Sequence, residues 1–155
     1  LETANWAPTH KKTEPWRFKI LTGDSKQEAG LFFKDDYLKN TKNPKKFKAK
    51  KINAKFEQSS HVIAVCMQRD PKESLPEWEE VAATSMAIQN MWLASKSLGI
   101  GMYWSSPGFK DKLGNFLALN EGEKCLGFLY LGQFHEELED MERQSSIDEK
   151  THWYR

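Results

Sequence analysis

Cysteine is nearly missing from this chain. Two occur in 155 residues, Cys66 and Cys125, with no CxxC pair. A disulfide scaffold and a zinc ribbon are both excluded on that count. Each cysteine lies in an apolar, strand-like run, so buried inert thiols are expected, with a disulfide or a reactive thiol as the alternatives. Charge of one sign is missing too. Lys and Arg number 23 against 22 Asp and Glu, a net of +1. No bulk attraction to nucleic acid or to a membrane surface follows. No apolar run approaches the roughly 20 residues that span a bilayer. No signal peptide precedes the fold in these residues, so a cytoplasmic protein is expected. The four histidines, His10, His61, His135 and His152, show no metal-ligand spacing. GxSxG, Walker, and HExxH motifs are absent, as are repeats and low-complexity stretches. Gly99-x-Gly101 is too short for a dinucleotide fingerprint and reads first as a helix stop and a tight turn. The chain therefore offers no protein-side machinery for hydrolysis or acyl transfer, and no catalytic residue of its own is assigned.

What is present suits one domain over residues 1–155. Hydrophobic residues make up 39% of the chain, enough for a core, but aliphatics are few, so a second subunit is expected to complete the apolar surface. Leu1 to Ala7 reads as the last turns of a helix whose start lies upstream. Trp16 to Leu21 reads as a strand of aromatic and branched residues. Asp24 or Ser25 is expected to cap a helix from about Lys26 to Asn40, with Leu31, Phe32 and Leu38 inward. Asn43-Pro44 is expected to open another, with Phe47, Ile52 and Phe56 as its apolar face. Its other face carries Lys42, Lys45, Lys46, Lys48, Lys50, Lys51 and Lys55. That face reads as solvated helix surface, as an attractor of an anionic partner such as dinucleotide phosphates, or as a nucleic-acid surface. The last is disfavoured because no exposed aromatics interleave with the lysines. His61 to Gln68 reads as a core strand. Pro76 opens the longest helix, apolar almost all round, which runs to Leu98 and stops at Gly99. Met102 to Ser105 reads as a strand, Phe109 to Leu117 as a short helix, and Lys124 to Leu131 as a last core strand.

Two stretches stand out as candidate binding groups. The first is a polar loop between Pro8 and Pro15, holding Thr9, His10, Lys11, Lys12, Thr13 and Glu14. Each proline bars helix from the residue before it, so a helix and a strand pin this loop. Loops on rigid elements are where binding groups tend to sit. The second is the segment Trp104-Ser105-Ser106 after the Gly turn, with Arg143 further on. Such a set suits a planar, phosphorylated cofactor that carries its own chemistry. Read alone, His10 braces the loop, Trp104 packs in the core and Arg143 is a solvated arginine.

Four stretches, in order along the chain, resemble the flavin-dependent nitroreductase superfamily, specifically its short NAD(P)H nitroreductase branch. Trp6-Ala7-Pro8-Thr9-His10 through Glu14-Pro15-Trp16 resembles the family's Ala-Pro-Ser/Asp-x-x-x-x-Gln-Pro-Trp segment. Ala87 to Ala94 resembles the central helix, Leu98 to Ser106 its Gly-rich exit, and Leu126 to Gly132 the late core strand. The resemblance implies an α+β fold, with a central, mainly antiparallel sheet flanked by helices, in an intertwined homodimer. It implies FMN as cofactor, NAD(P)H as reductant and ping-pong reduction of nitroaromatic or quinone-like acceptors. A flavin or small-ligand binding module without turnover is the alternative. The family's cofactor contacts fall on Trp6, Pro8, Thr9, His10, Trp104, Ser105, Ser106 and Arg143, with no metal. Ala94 to Gly99 matches a dinucleotide contact of the short branch. Two departures bear on binding. Glu14 stands where the family has Gln, and a carboxylate accepts but does not donate, so Lys11 and Lys12 are expected to supply cations there instead. The family's Arg-Arg-Ser phosphate motif has no match in residues 1–155, so weak FMN retention is expected of these residues alone.

Overall fold

The computed structural model describes residues 1–133 and 142–155. His135 lies outside the described residues. Among the described residues four strands make one sheet: β1 (Trp16–Leu21), β2 (His61–Gln68), β3 (Ile100–Ser105) and β4 (Glu123–Gln133). Their order across the sheet is β1-β2-β4-β3, and every pairing is antiparallel. Among the described residues three α-helices cover it: α1 (Gly23–Asn40), α2 (Lys46–Gln58) and α3 (Glu77–Ser97). The expected α+β architecture is therefore present, with α3 on one face and α1 and α2 on the other. Among the described residues no helix is long and apolar enough to cross a membrane.

Strand alternation builds the two faces. Successive side chains point to opposite sides of a sheet. Val62, Ala64 and Cys66 of β2 join Phe128 and Tyr130 of β4 in a cluster with Phe33 and Phe56. Ile63 and Val65 join Leu129, Trp16 and the α3 residues Ala83, Ala87, Ile88 and Met91 in the other. Cys66 and Cys125 are both free and buried, as expected, and sit opposite each other in register. The hydrogen bond between the two thiols, with burial, pushes Cys66 up, and the same bond holds Cys125 down.

Several element expectations need correction. The first stretch is a 3-10 helix, Glu2–Trp6, and not the end of an α-helix. α1 starts at Gly23, because Thr22 and Ser25 cap it reciprocally. That start fixes its inner face as Ala29, Gly30 and Phe33, and Leu31 and Leu38 are exposed. Gly30 sets the α1–α2 spacing: a Cβ there would lie 2.8 Å from Asn53 Oδ1 and 2.9 Å from Phe56 Cβ. α2 starts after Lys45, since Asn43 adopts φ +59° and breaks the turn before it. Phe47, expected inward, is 68% exposed, and Ala49, Ile52 and Phe56 form the buried stripe. The segment after Ser106 is a 3-10 helix, Gly108–Asn115. β3 and β4 run slightly longer than expected, while β1 and β2 match residue for residue.

Candidate functional site

The loop between Pro8 and Pro15 is held in an unusual backbone. Lys11, Lys12 and Glu14 all have positive φ, near 50°, 56° and 43°. Each such residue costs on the order of 1 kcal/mol or more and persists only where its surroundings hold it. Those restraints are visible. The Glu14 N–H donates to Thr9 Oγ1 at 3.2 Å, and Thr9 and Thr13 share a hydroxyl contact at 3.2 Å. His10 Nδ1 lies 2.6 Å from Glu79 Oε2 on α3, and Lys11 Nζ donates to Ser74 O at 2.8 Å. Lys11 is thereby tied to the protein's own backbone through one of its three ammonium donors; Lys12 is exposed. Pro8, Thr9 and His10 line a shallow hollow of about 380 Å³ together with Trp78, Ala82 and Met86 of α3. Trp6 points away from the core and is 79% exposed.

The second group sits on β3. Trp104 packs with the α3-side cluster. Its place depends on a β-bulge: Val65 pairs with Gly127 and Cys66 with Cys125, which leaves Leu126 as the extra residue. Gly127 adopts φ +154°, and a Cβ on it would fall 2.7 Å from Trp104 Nε1 and 2.6 Å from Ser105 O. The indole N–H is buried and has no acceptor among the described residues. Tyr103 and Ser105 alternate to the opposite face, where the Ser105 hydroxyl and the Lys55 ammonium hold the Tyr103 phenol below its ordinary value. Tyr130 beside it is pushed up by burial, and its hydroxyl has no partner among the described residues.

From Ser106 the chain enters Pro107, Gly108 and Phe109, which wall a cleft of about 590 Å³. Its other side is formed by Tyr37 of α1 and by Lys48, Lys51 and Lys55 of α2. The cleft combines an apolar lining with three cations, Lys48, Lys51 and Lys55, that have no carboxylate partner among the described residues, and Lys55 Nζ lies 5.6 Å from the centroid of the neighbouring Tyr130 ring. These features fit a planar, anionic group.

A model of the nitroreductase family matches residues 1–133. The chain belongs to the nitroreductase family. Among its relatives is Putative NAD(P)H nitroreductase YfhC of Bacillus subtilis, 28% identical over 154 residues that cover 97% of this chain and 78% of the relative. A nitroreductase-like family protein from Bacillus cereus, solved by crystallography, is 29% identical with a TM-score of 0.80, covering 99% of this chain and 80% of that one. A Bacteroides fragilis nitroreductase solved with bound FMN has a TM-score of 0.66 over 94% of this chain and 80% of its own; at 22% identity it speaks for the fold.

In this nitroreductase-family chain the predicted site residues fall into separate groups. Pro8, Thr9 and His10 share the α3-side hollow. Trp104 packs on that same side of the sheet, at the β3 edge. Ser105 and Ser106 lead into the cleft on the other side. Arg143 is exposed, and no hydrogen bond or ion pair among the described residues joins it to either group. Sequence reasoning missed Tyr37, Tyr103 and Tyr130 as neighbours of the site. It read the lysines as a face without a cleft. The usable signal was the spacing of Lys48, Lys51 and Lys55 at i, i+3 and i+7, one stripe of a helix.

Proposed function

We propose that this chain is an FMN-dependent oxidoreductase that passes hydride from NAD(P)H to nitroaromatic or quinone-like acceptors, working as a homodimer with each flavin between two copies. One observation carries this reading. The residues that the family resemblance assigns to the cofactor lie on opposite faces of one sheet, and a single chain does not close both around one ring. Two copies do so if one contributes Pro8, Thr9 and His10 and the other Ser105, Ser106 and the cleft wall beyond them. The surface around the loop supports a partner there: Trp6, Trp78 and Leu93 are all exposed on the α3 side, an unusual set of large apolar groups for water to cover. Residues 1–155 form one domain in this reading, and the two unbridged cysteines favour a reducing, cytoplasmic setting.

When bound, FMN supplies the hydride chemistry, accepting from the nicotinamide and donating to the acceptor in turn, a ping-pong pattern. The chain's own residues bind and orient. The strained loop presents its Thr9 and His10 groups from a fixed backbone, and the Glu79 contact orients the imidazole. Lys55, close to Tyr103 and Tyr130, would supply a positive charge to a flavin held in the cleft. Pro107 and Phe109 exclude water from one side. Arg143 is assigned to the phosphate. The test is a visible spectrum of the purified protein with and without added FMN, followed by NAD(P)H oxidation with and without a nitroarene or quinone. Flavin absorbance with acceptor-dependent oxidation is the expected result. Flavin absorbance without turnover identifies a binding module, and a colourless protein that takes up no FMN contradicts the reading.

A further inference from the structure

We propose that Lys48 and Lys51 select acceptors that carry an anionic substituent, such as an aromatic carboxylate or sulfonate, so that the site prefers charged nitroarenes or quinones to neutral ones. This rests on the functional reading above, since it names the substrate class of the same cleft. The argument starts from charge. Four lysines line the cleft, Lys48, Lys51, Lys55 and Lys112, against one carboxylate, Asp36, which leaves three positive charges in excess. Asp36 is already engaged: it accepts from Asn40 Nδ2 at 2.7 Å and lies 3.7 Å from Lys112. Lys48 and Lys51 have no ion pair among the described residues.

Helix geometry makes this arrangement costly without a ligand. Lys48, Lys51 and Lys55 lie three and four residues apart, and like charges at such spacing repel across a helix face. Their ammoniums are drawn instead over rings. Lys48 Nζ is 5.5 Å from the Tyr37 ring centroid and Lys51 Nζ is 4.5 Å from that of Phe47. Tyr37 is itself fixed, because its hydroxyl accepts the Lys45 N–H at 3.1 Å. Ile52 and Phe109 supply apolar floor beneath. A flat ring is accommodated by that floor, and its anionic group meets the two ammoniums on the α2 wall. Both lysines are exposed, so the attraction is screened by salt, and its effect is one of preference and encounter.

The test compares 4-nitrobenzoate with its neutral near-isostere 4-nitrobenzamide, in wild type and in the Lys48→Gln, Lys51→Gln double variant, with FMN added. Binding is read by calorimetry and turnover by kcat/KM. Two exposed pairs give the carboxylate an advantage of about three- to thirtyfold in wild type. That advantage should shrink on going from about 0.01 M to about 1 M salt, as the screening length falls from about 30 to about 3 Å. The double variant should lose the advantage while binding the amide, retaining FMN and using NADPH and NADH in the same ratio as wild type. Equal binding of acid and amide in wild type overturns the proposal, as does a preference that survives in the variant. Loss of FMN in the variant assigns the lysines to the cofactor phosphate, and a changed NADPH-to-NADH ratio assigns them to the dinucleotide; either result also overturns it. If no flavin binds at all, the functional reading fails separately, and the calorimetric comparison still decides the charge preference.

Discussion

The two faces of the sheet are built differently. On the α1 and α2 side the core is aromatic: Phe33 lies at the centre, with ring centroids of Phe109 at 4.8 Å, Phe128 at 5.5 Å and Phe56 at 5.7 Å. Phe33, Phe56 and Phe128 are fully buried, while Leu31, Leu38 and Phe47 on the outer surfaces of α1 and α2 are exposed. On the α3 side the packing is mixed, with alanines and aliphatic residues beside Trp16 and Trp104 against one helix. Ala83, Ala87 and Ile88 turn inward, while Trp78, Leu93 and Leu98 are 68%, 61% and 73% exposed. Both faces leave some apolar side chains in water, but the α3 side carries the bulkier ones, with the two tryptophans Trp6 and Trp78 at 79% and 68% exposure. Large exposed apolar groups at this density mark an interaction surface. The strained loop between Pro8 and Pro15 is anchored to the α3 side through His10 and Glu79, which is where a second copy would meet it.

The comparison is broken most forcefully from the α1 and α2 side. Phe33→Ala removes the ring that the other aromatics surround, and should cost about 3–5 kcal/mol by chemical denaturation. A loss under about 1 kcal/mol would mean that this face is not a finished core. A smaller effect on the same face comes from Glu123. Its side chain is fully buried and pairs with Lys19 at 2.8 Å, and it also accepts the Asn120 N–H at 2.9 Å. Burial alone would raise its pKa, but the Asn120 N–H and Lys19 outweigh it and hold the carboxyl below its ordinary value. A depressed pKa contributes stability that is present above the unfolded value, about 4.3, and is lost as pH falls through the lower folded value. Glu123→Gln should therefore cost about 1.5–3 kcal/mol near neutrality. The gap from wild type should narrow on acidification below about pH 4.3. A gap independent of pH would show that the Lys19 contact contributes nothing. The smallest change in fold stability is expected on the α3 side. Leu93→Ser with Leu98→Ser should alter protomer stability by no more than about 0.5 kcal/mol per site, as exposed substitutions do, yet weaken self-association measured by sedimentation. Unchanged association would locate the partner surface elsewhere.

Much of this contrast was legible from residues alone. The alternating and continuous apolar runs identified β1 and β2 to the residue, and Pro76 with Gly99 bracketed α3. The inner faces of α1 and α2 were less legible. The aromatic and leucine side chains of α1 do not say which of them points inward. The choice falls to Phe33 because Thr22 starts the helix earlier than Ser25 alone suggests, and because Gly30 lets α2 approach closely. Phe47 has a hydrophobic side chain in the first turn of α2, beyond the reach of the sheet. The candidate site was legible as stretches and not as a shape. His10 meets Glu79 across 69 residues, and Gly127 shapes the seat of Trp104 across 23; neither pairing leaves a local signature.

The central claim is that two copies complete each flavin site. Sedimentation velocity on the FMN-loaded protein at micromolar concentration, recorded at a protein wavelength and at a flavin wavelength, tests it directly. The account predicts one boundary at the dimer mass, carrying the flavin signal at about one per chain, with an interface that buries more than roughly 2,000 Å². A stable monomer that carries the flavin signal would contradict it.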